Sequence, residues 1–481
     1  MRIDTICKAL ARLLMIVGVS MLLPAIWAVY FKEQDLWVYL FSAFATVGSG
    51  IILFRIVPGS DEVRPREGFA IVALGWLVAS LFGSVPYLLT GTFDSFIDAF
   101  FETVSGFTTT GSTVLTDIEV VSRSTLVWRS LTQWLGGMGI VVLFVAILSQ
   151  MGAGAVQMFK AESPGPVPEK IKPRIRETAK ILWLTYLLIS LAEMLLLWVA
   201  GMSLFDAMNH TFTTMATGGY STRNASVGFY TSPWIQWIII VFMFLAGANF
   251  ALYYQCLRGK NLACFWRNEE FRLYLFLVLG ATALTLFYVY GQVAGGFEAA
   301  LRASAFQVVS MITTTGYATA DFDKWPLLVK TLLVILMFVG GCAGSTGGAI
   351  KVGRVLVLLK QSVVELKRMV HPRAILPLLI NQKPMPSDVV ISILQFFFLY
   401  TGISSLGWLA MSAYGMDLVS GFTAVAATLG NVGPGLGTVG PAANFAHLPA
   451  GAKVILSVLM LVGRLEVYTV LVLLAPQTWR K

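Results

Sequence analysis

Residues 311–322 read MITTTGYATADF, with three consecutive threonines and a glycine between apolar segments. Nearly the same pattern occurs in GFTTTGSTVL from Gly106 and in TTMATGGYST from Thr213. A weaker fourth copy, TLGNVGPGLG, begins at Thr428. Similar stretches about 100 residues apart indicate an internal repeat. The copies align on one glycine each: Gly111, Gly219, Gly316 and Gly433.

The composition is that of a membrane protein. Hydrophobic residues make up 57% of the chain and charged residues 12%, whereas soluble domains carry about 25% charged residues. Apolar runs of about 20 residues, such as ILWLTYLLISLAEMLLLWVAG, recur along the whole chain, and this length crosses a bilayer core of about 30 Å. The composition therefore predicts a polytopic helical membrane protein.

The basic residues cluster in alternate loops, which explains the net charge of +9 without nucleic acid as a partner. Basic segments begin at Glu169, Leu257 and Gly353, and the loops between them are acidic. Because cytoplasmic loops are enriched in Lys and Arg, these segments and both termini are expected in the cytoplasm. There they can also contact anionic lipid headgroups. The acidic residues of the intervening loops include Asp94, Asp98, Glu102, Asp117, Glu119, Asp321 and Asp323.

The N-terminal apolar run follows basic residues, as in a signal peptide. It is long and lacks a clear small-x-small cleavage site, so we expect a retained first span. The cysteines show no metal-ligand spacing, and disulfides are rare in the cytosol, so free thiols are expected. They are Cys7, Cys256, Cys264 and Cys342.

Each Thr/Gly stretch has the same surroundings. An apolar span comes first, then a segment of about 12 residues, which as a helix is about 18 Å long and too short to cross. The stretch, a polar loop and a second full span follow. Acidic residues near the starts of three short segments favour helix N-termini there, namely Asp98, Asp206 and Glu298. The first spans are expected at about 68–90, 178–200, 271–291 and 388–414.

This pattern predicts an all-α polytopic membrane protein. Four tandem helix–re-entrant pore helix–helix units surround a central pore with pseudo-fourfold symmetry, and two N-terminal transmembrane helices lie outside this plan. Each unit starts and ends in the cytosol, so successive units have the same orientation. The predicted boundaries are 1–60 for the N-terminal helices, and 61–165, 166–265, 266–380 and 381–481 for repeats 1 to 4.

Four such stretches around one axis are suited to binding a cation. Backbone carbonyls can replace the hydration shell of an ion, glycine allows positive φ, and threonine adds a hydroxyl acceptor. The alternative is that the stretches are extracellular turns of no special role. The candidate filter residues are Thr109, Thr110, Gly111, Thr217, Gly218, Gly219, Thr314, Thr315, Gly316, Asn431, Val432 and Gly433.

The quartet TTTGS, ATGGY, TTTGY and GNVGP, within these four units, resembles the Trk/Ktr/HKT superfamily of potassium transporters. The resemblance covers essentially the whole chain and is greatest to the membrane subunits of bacterial Trk systems. It implies that the aligned glycines are the filter glycines and that K⁺ at the filter is the only bound metal. Serine at the first of these positions goes with sodium transport in the plant relatives, so Gly111 implies potassium. The fourth copy departs most from the pattern, at Asn431 and Val432.

A second glycine-rich segment interrupts the last span of repeat 3. It is not a nucleotide-binding P-loop, because GSTGGAIK lacks the Gly-Lys-Ser/Thr ending. Close packing through small residues is one interpretation, and a loop that blocks the path below the filter is the other. The resemblance implies the second, since the family has a gating loop here. The candidate gating residues are Gly340, Gly341, Gly344, Ser345, Thr346, Gly347, Gly348 and Lys351, of which Lys351 either faces the pore or reaches the cytosolic surface.

Arg464 is expected inside the last span, where a charge is costly and faces a cavity or a partner. It forms a structural ion pair with another repeat or, as the resemblance implies, places a positive charge beside the permeation path. Pairing with Glu466 is not expected, because residues two apart do not share a helix face. His210 and His371 have no metal-ligand companions and are interpreted as non-catalytic.

The function expected from these features is potassium conduction through a single-chain pore in the bacterial inner membrane. The alternative is a secondary symporter coupled to H⁺ or Na⁺, with Glu193 and Glu466 as candidate coupling residues. No catalytic motif appears, so the protein is not expected to be an enzyme. The resemblance implies a homodimer and a soluble nucleotide-binding regulatory subunit of TrkA type. Nucleotide is expected on that partner only, and no cofactor in this chain.

Overall fold

The computed structural model describes residues 1–58, 63–139, 175–259, 263–293, 295–374 and 376–479. Across these ranges the chain is almost entirely helical. Among the described residues, six helices are long and apolar enough to cross a membrane, and up to eight spans result if each sharply bent helix pair counts as one. The rest of repeat 1 after residue 139 lies outside the described residues, as do parts of the basic segments from Glu169 and Leu257.

The N-terminal residues form a helical hairpin, as predicted. Ile3–Phe31 and Leu36–Ile56 both have the length and hydropathy of a membrane span. The Nε atom of Arg2 lies 3.0 Å from Oε1 of Glu67, which fastens the hairpin to repeat 1. The helices are α1 (Ile3–Ser20), α2 (Leu22–Phe31) and α3 (Leu36–Ile56).

Each repeat begins with a long helix and continues with a short one, in the predicted order. The short helix has 12 residues in repeats 1, 2 and 4, as expected, but 17 in repeat 3. There Gly295 and Gly296 adopt positive φ, and the helix begins at once after this turn. Repeat 1 contains α4 (Pro65–Gly83), α5 (Val85–Leu89), α6 (Phe96–Phe107), α7 (Arg123–Trp134) and a π-helical turn (Leu135–Gly139). Repeat 2 contains α8 (Ile175–Val199), α9 (Leu204–Met215), α10 (Pro233–Ala246) and α11 (Phe250–Gly259), followed by α12 (Ala263–Arg267).

Repeats 3 and 4 follow the same order. Repeat 3 contains α13 (Glu269–Val289), α14 (Gly296–Ile312), α15 (Leu327–Val339) and α16 (Val352–Val370). A pair of two-residue antiparallel strands follows, β1 (Leu379–Ile380) and β2 (Lys383–Pro384). Repeat 4 contains α17 (Ser387–Ala413), α18 (Leu418–Leu429), α19 (Ala450–Arg464), α20 (Tyr468–Leu474) and α21 (Pro476–Trp479).

The short helices are α6, α9, α14 and α18, and most of them start at a side-chain cap. Ser95 and Ser203 accept hydrogen bonds from the backbone of α6 and α9, and Asp417 does so for α18. Such caps satisfy backbone donors that have no partner within the helix. The acidic residues predicted near these starts lie in the first turns, namely Asp98, Asp206 and Glu298.

The second spans of repeats 2 and 4 differ from the prediction, which interrupted this span in repeat 3 alone. α10 and α11 meet at an angle of 93°, and α19 and α20 at 114°. At the second break Glu466 and Val467 adopt positive φ, which a continuous helix does not allow. All the second spans of repeats 2 to 4 are therefore broken.

Two of the cysteines predicted to be free thiols, Cys256 and Cys264, lie close together. α11 and α12 fold back on each other and bring their Cα atoms to 6.2 Å. This separation lies within the usual range for disulfides, and the redox state of the pair stays a prediction. Cys7 and Cys342 are free.

Candidate ion pathway

The four Thr/Gly stretches meet in a closed ring. A Cβ atom added to Gly111 would clash with the backbone oxygen of Gly218, one added to Gly219 with that of Thr315, and one added to Gly316 with that of Val432. A Cβ atom on Gly433 would lie 2.9 Å from the oxygen of Thr110. Each glycine thus contacts the residue that precedes the glycine of the next repeat, and repeat 4 returns to repeat 1.

The backbone has the same unusual shape in all four repeats. The residue two positions before each glycine is left-handed, with φ of 54° at Thr109, 53° at Thr217, 60° at Thr314 and 52° at Asn431. Left-handed backbone costs a non-glycine residue about 1–2 kcal/mol, and β-branched residues adopt it rarely. The glycines themselves have φ between 74° and 110°. Repeat 4 therefore has the same conformation although its sequence departs most.

One hydrogen-bond pattern ends all four short helices and shapes these stretches. In repeat 1 the N–H groups of Thr109 and Thr110 donate to Gly106 and Ser105, at 3.0 and 2.9 Å. The same pairs of bonds occur at the equivalent positions of the other repeats. This turning back of two N–H groups resembles the Schellman motif. The equivalent donors are Thr217 and Gly218, Thr314 and Thr315, and Asn431 and Val432.

Most backbone oxygens of the ring have no donor. In the described part of the chain nothing donates to the oxygens of Thr109, Thr110, Thr217, Thr314, Thr315, Asn431 or Val432, and these residues are between 0% and 1% exposed. Buried carbonyl groups are normally paired. The exceptions are Gly218, whose oxygen accepts from Nε2 of Gln133 at 2.7 Å, and Gly433, whose oxygen accepts from Ser112 Oγ at 2.9 Å. The sequence did not indicate Gln133.

The side chains of the ring bond to one another. The hydroxyls of Thr108 and Thr110 lie 2.7 Å apart, and those of Thr313 and Thr315 lie 2.8 Å apart. Repeat 4 has no such threonine pair, and Nδ2 of Asn431 donates instead to Thr110 Oγ1 at 2.9 Å. This bond joins the last repeat to the first.

A cavity of about 160 Å³ adjoins the ring on the side of the polar loops. The four aligned glycines all contribute to its lining. Asp117 and Asn224 link the loops of repeats 1 and 2 nearby, with Asn224 Nδ2 donating to Asp117 Oδ1 at 2.7 Å. This hydrogen bond lowers the pKa of the Asp117 carboxyl.

The glycine-rich segment of repeat 3 lies against the other side of the ring. Residues 340–351 form an irregular loop between α15 and α16, with positive φ at Gly340, Gly344, Ala349 and Lys351. The backbone N–H of Gly348 donates to Thr314 Oγ1 at 2.8 Å. This loop 340–351 therefore contacts the candidate filter directly and is not a helix packed through small residues.

Hydrogen bonds to repeat 2 and to the first helix of repeat 3 hold loop 340–351 in place. Thr346 Oγ1 donates to the backbone oxygens of Met215 and Ala246, at 3.0 and 3.2 Å. The backbone N–H of Ala343 donates to Oε1 of Glu270, at the start of α13, at 2.6 Å. The hydroxyl of Ser345 stays within the loop and donates to Cys342.

Arg464 joins the loop to repeat 1. Its guanidinium donates to the backbone oxygens of Thr346, Gly136 and Gly137, at 2.7, 2.7 and 2.6 Å. Gly136 and Gly137 lie in the π-helical turn, which the sequence did not predict. Arg464 thus connects repeats 4, 3 and 1 through carbonyl groups.

The other candidate charges are distributed away from the ring. Glu466 contacts Arg354 and lies 4.0 Å from Nζ of Lys351, which is 8% exposed and so is buried rather than at the cytosolic surface. Glu193 is fully buried on α8, and neither carboxylate oxygen has a hydrogen-bond partner in the described residues. His210 is bonded internally, to the oxygen of Asp206 and to Ser221 Oγ.

Fold and site together define a membrane transport protein built around a central pore. The sequence model of the family described as "TrkH: Cation transport protein" matches residues 39–481. The "Trk system potassium uptake protein TrkH" of Salmonella typhimurium is 42% identical over 487 residues, which cover 100% of both chains. The protein of the same name from Vibrio parahaemolyticus is 40% identical, also over 100% of both.

A solved structure has the same fold. The structure titled "Crystal Structure of the Potassium Transporter TrkH from Vibrio parahaemolyticus" matches with a TM-score of 0.90 and 36% identity, over 100% of both chains. The chain therefore belongs to the TrkH family of cation transport proteins. This membership confirms the resemblance that the repeated Thr/Gly stretches indicated, and the fold confirms the four predicted units with two N-terminal helices.

Proposed function

We propose that this protein takes up potassium through a pore formed by one chain. The ring of buried backbone oxygens without donors carries the proposal. Such oxygens are suited to replacing the water around a dehydrated cation, and their burial without another partner otherwise costs free energy. The names of the relatives, potassium uptake proteins, support K⁺ as the ion.

The proposed filter is the ring itself, with three residues from each repeat. Its carbonyl groups bind the ion, and the left-handed residue and the glycine of each repeat set the direction of successive carbonyls. The hydroxyl contacts within repeats 1 and 3 and the bond from Asn431 to Thr110 between repeats support a fixed diameter. The residues are 109–111, 217–219, 314–316 and 431–433.

Loop 340–351 is the proposed gate. Its contact with Thr314 and its bonds to Met215 and Ala246 support a closed state in which the loop covers the cytosolic side of the filter. Arg464 stabilises this state through Thr346, and its positive charge lies near the route of the ion. Opening requires that the bonds of Arg464 and Thr346 break.

The gate is proposed to be controlled by a cytosolic nucleotide-binding subunit of TrkA type. Basic residues at the end of α16 support a cytosolic position for this surface. Nucleotide then binds to the partner, and this chain needs no cofactor. We further propose a homodimer in the bacterial inner membrane, with both termini in the cytoplasm.

A second candidate function is a symporter that couples K⁺ to H⁺ or Na⁺. The observation in its favour is Glu193, a buried carboxyl group without a hydrogen-bond partner in the described residues. Intramembrane acids of this kind often carry protons in transporters. Glu193 lies on α8 and not in the ring, which favours the pore.

Ion flux into liposomes that contain the purified protein tests both functions. Under separate K⁺ and Na⁺ gradients, the pore predicts passive flux that favours K⁺ and needs no second ion. Flux that requires an H⁺ or Na⁺ gradient, and that Glu193→Gln abolishes, would establish the symporter. Absence of K⁺ flux with the regulatory subunit and nucleotide present would contradict both.

A further inference from the structure

Behind the ring lies an ion pair that the sequence did not indicate. Glu102 appears in the sequence as one acid of an outer loop, but it lies within α6. Its Oε1 accepts from Nε of Arg129, on α7, at 2.7 Å, and the two side chains are 0% and 3% exposed. A buried ion pair is weak evidence of stability, because the loss of hydration offsets the attraction. Its contacts indicate another role.

Glu102 holds the segment that follows the glycine of repeat 1. The hydroxyl of Thr113 donates to both carboxylate oxygens, at 2.9 and 3.0 Å. The backbone N–H of Val114 donates to Oε2 at 2.9 Å. The carboxylate thus fixes the chain two and three residues after Gly111.

Arg129 extends the same network to repeat 2. Its NH1 atom donates to the backbone oxygen of Ser221 at 3.0 Å. Its guanidinium carbon lies 3.5 Å from the centre of the Tyr220 ring. The hydroxyl of Tyr220 donates to the backbone oxygen of Glu102 at 2.9 Å. Tyr220 and Ser221 directly follow Gly219, so one ion pair connects the segments after two filter glycines.

The equivalent position of the other short helices shows that this charge is peculiar to repeat 1. The position nine residues before the aligned glycine holds Glu102, His210, Gln307 and Ala424 in turn. His210 Nε2 lies 3.1 Å from Ser221 Oγ, and Gln307 Nε2 donates to Thr319 Oγ1 at 3.3 Å. The first three therefore bind the segment after their own glycine, and only repeat 1 uses an ion pair to do so.

We propose that the Glu102–Arg129 pair is a positioning element that determines ion preference, an inference that rests on the proposed pore. It holds the segments after Gly111 and Gly219 so that the oxygens of Thr110 and Gly218 keep their separation. Without the pair this corner of the ring relaxes and accepts the smaller Na⁺ ion more readily.

The test is K⁺ and Na⁺ flux in liposomes with the double variant E102Q/R129Q, which removes both charges and leaves no unpaired one. We expect the K⁺/Na⁺ flux ratio to fall about tenfold, about 1.4 kcal/mol, while K⁺ flux persists. A merely structural pair would lower the melting temperature and leave the ratio unchanged.

The matched control is D98N/K453Q. Asp98 lies one turn earlier on α6 and accepts from Lys453 Nζ at 2.6 Å, again between two repeats, but it holds no segment after a glycine. The K⁺/Na⁺ flux ratio of D98N/K453Q is expected to equal that of the wild type. An equal fall in both double variants would overturn the proposal, as would an unchanged ratio in E102Q/R129Q.

A milder variant keeps the test decisive if E102Q/R129Q does not fold. Thr113→Val removes the hydroxyl that donates to Glu102 and retains the shape of the side chain. The K⁺/Na⁺ flux ratio is expected to fall in the same direction by roughly threefold, about 0.7 kcal/mol, because only part of the free energy of one hydrogen bond to a charged group is expressed as ion preference. An unchanged ratio in folded Thr113→Val would count against the proposal, whereas failure of the wild type to conduct K⁺ would count against the pore.

Discussion

The candidate filter and loop 340–351 are both rich in glycine and positive φ, but they are held in different ways. The filter stretch occurs four times, and each copy is closed by the same two backbone hydrogen bonds. The loop occurs once, and side chains of other segments hold it, chiefly Arg464 and Glu270. Because the stretch is repeated, the four copies of the candidate filter form a ring in which each copy contacts the next. Loop 340–351, in contrast, can move away from the ring when a few hydrogen bonds break. Substitutions in the filter should therefore change ion preference, and those in the loop the amount of flux.

The largest effect is expected for Gly316→Ser in the filter. The added Cβ would clash with the oxygen of Val432 at a residue whose φ is 78°. Strain of about 3 kcal/mol corresponds to roughly a hundredfold loss of K⁺ over Na⁺ preference. Liposome flux with both ions measures it.

The matched control for this glycine is Gly415→Ser. Gly415 also has positive φ, 83°, but no described residue lies within 4 Å of an added Cβ, so the added side chain would not touch the ring. Its flux ratio should remain that of the wild type. Equal ratios for wild-type protein and Gly316→Ser would remove Gly316 from the filter.

Removal of residues 345–348 from the loop should have the next largest effect, on the amount of flux. The deletion abolishes the bond of Arg464 to Thr346 and the bonds of Thr346 to repeat 2. Two to three such bonds correspond to roughly a thirtyfold rise in basal K⁺ flux. A rise with an unchanged K⁺/Na⁺ ratio separates gate from filter, and unchanged flux in a folded variant would eliminate the gate.

Gly433→Ala should have a smaller effect than Gly316→Ser although both lie in the ring. The added Cβ would approach the oxygen of Thr110 only to 2.9 Å, so strain at φ 110° is the main penalty. About 1.4 kcal/mol corresponds to a tenfold loss of preference. Side-by-side flux ratios for Gly433→Ala and Gly316→Ala check the order, and a reversed order would mean that the ring is not tighter at Gly316 than at Gly433.

The smallest effect is expected for Glu270→Gln, which weakens the bond from the backbone of Ala343. A difference of about 0.7 kcal/mol corresponds to roughly a threefold rise in basal flux. Its neighbour Glu269 binds Lys360 instead of the loop, so Glu269→Gln is the control. An equal rise in basal flux in Glu270→Gln and Glu269→Gln would show that Glu270 does not hold the proposed gate.

The sequence predicts the repeats and the membrane spans well. The spans follow from the length of the apolar runs, and the repeats follow from the glycine that the positive φ at the same position of each copy requires. It predicts the position of Asn431 through Gly433 even though the threonines are missing there. The breaks after α10 and α19 escape such reasoning, because glycine is frequent in membrane helices and Gly247 and Gly463 therefore do not mark a break. Composition offers no signal for the approach of Cys256 to Cys264 across a turn.

The supporting residues are the least predictable part of the site. In the sequence, Glu102 resembles the other acidic residues of an outer loop. Its pairing with Arg129 is visible only in the structure, where α6 packs against α7. Gln133 and the π-helical turn with Gly136 likewise acquire a role through contacts with repeats 2 and 4. These are tertiary interactions between segments that are far apart in the chain, and a periodic pattern does not encode them.

The contact of Gly433 with Thr110 has a consequence for biosynthesis. It joins the last repeat to the first, so the ring closes only after nearly the whole chain has been made. Contacts this distant in sequence form late, since the loop between them must be closed first. A chain released early would therefore contain only three of the four stretches, and the ring of oxygens proposed as the filter would stay open until repeat 4 had been synthesised.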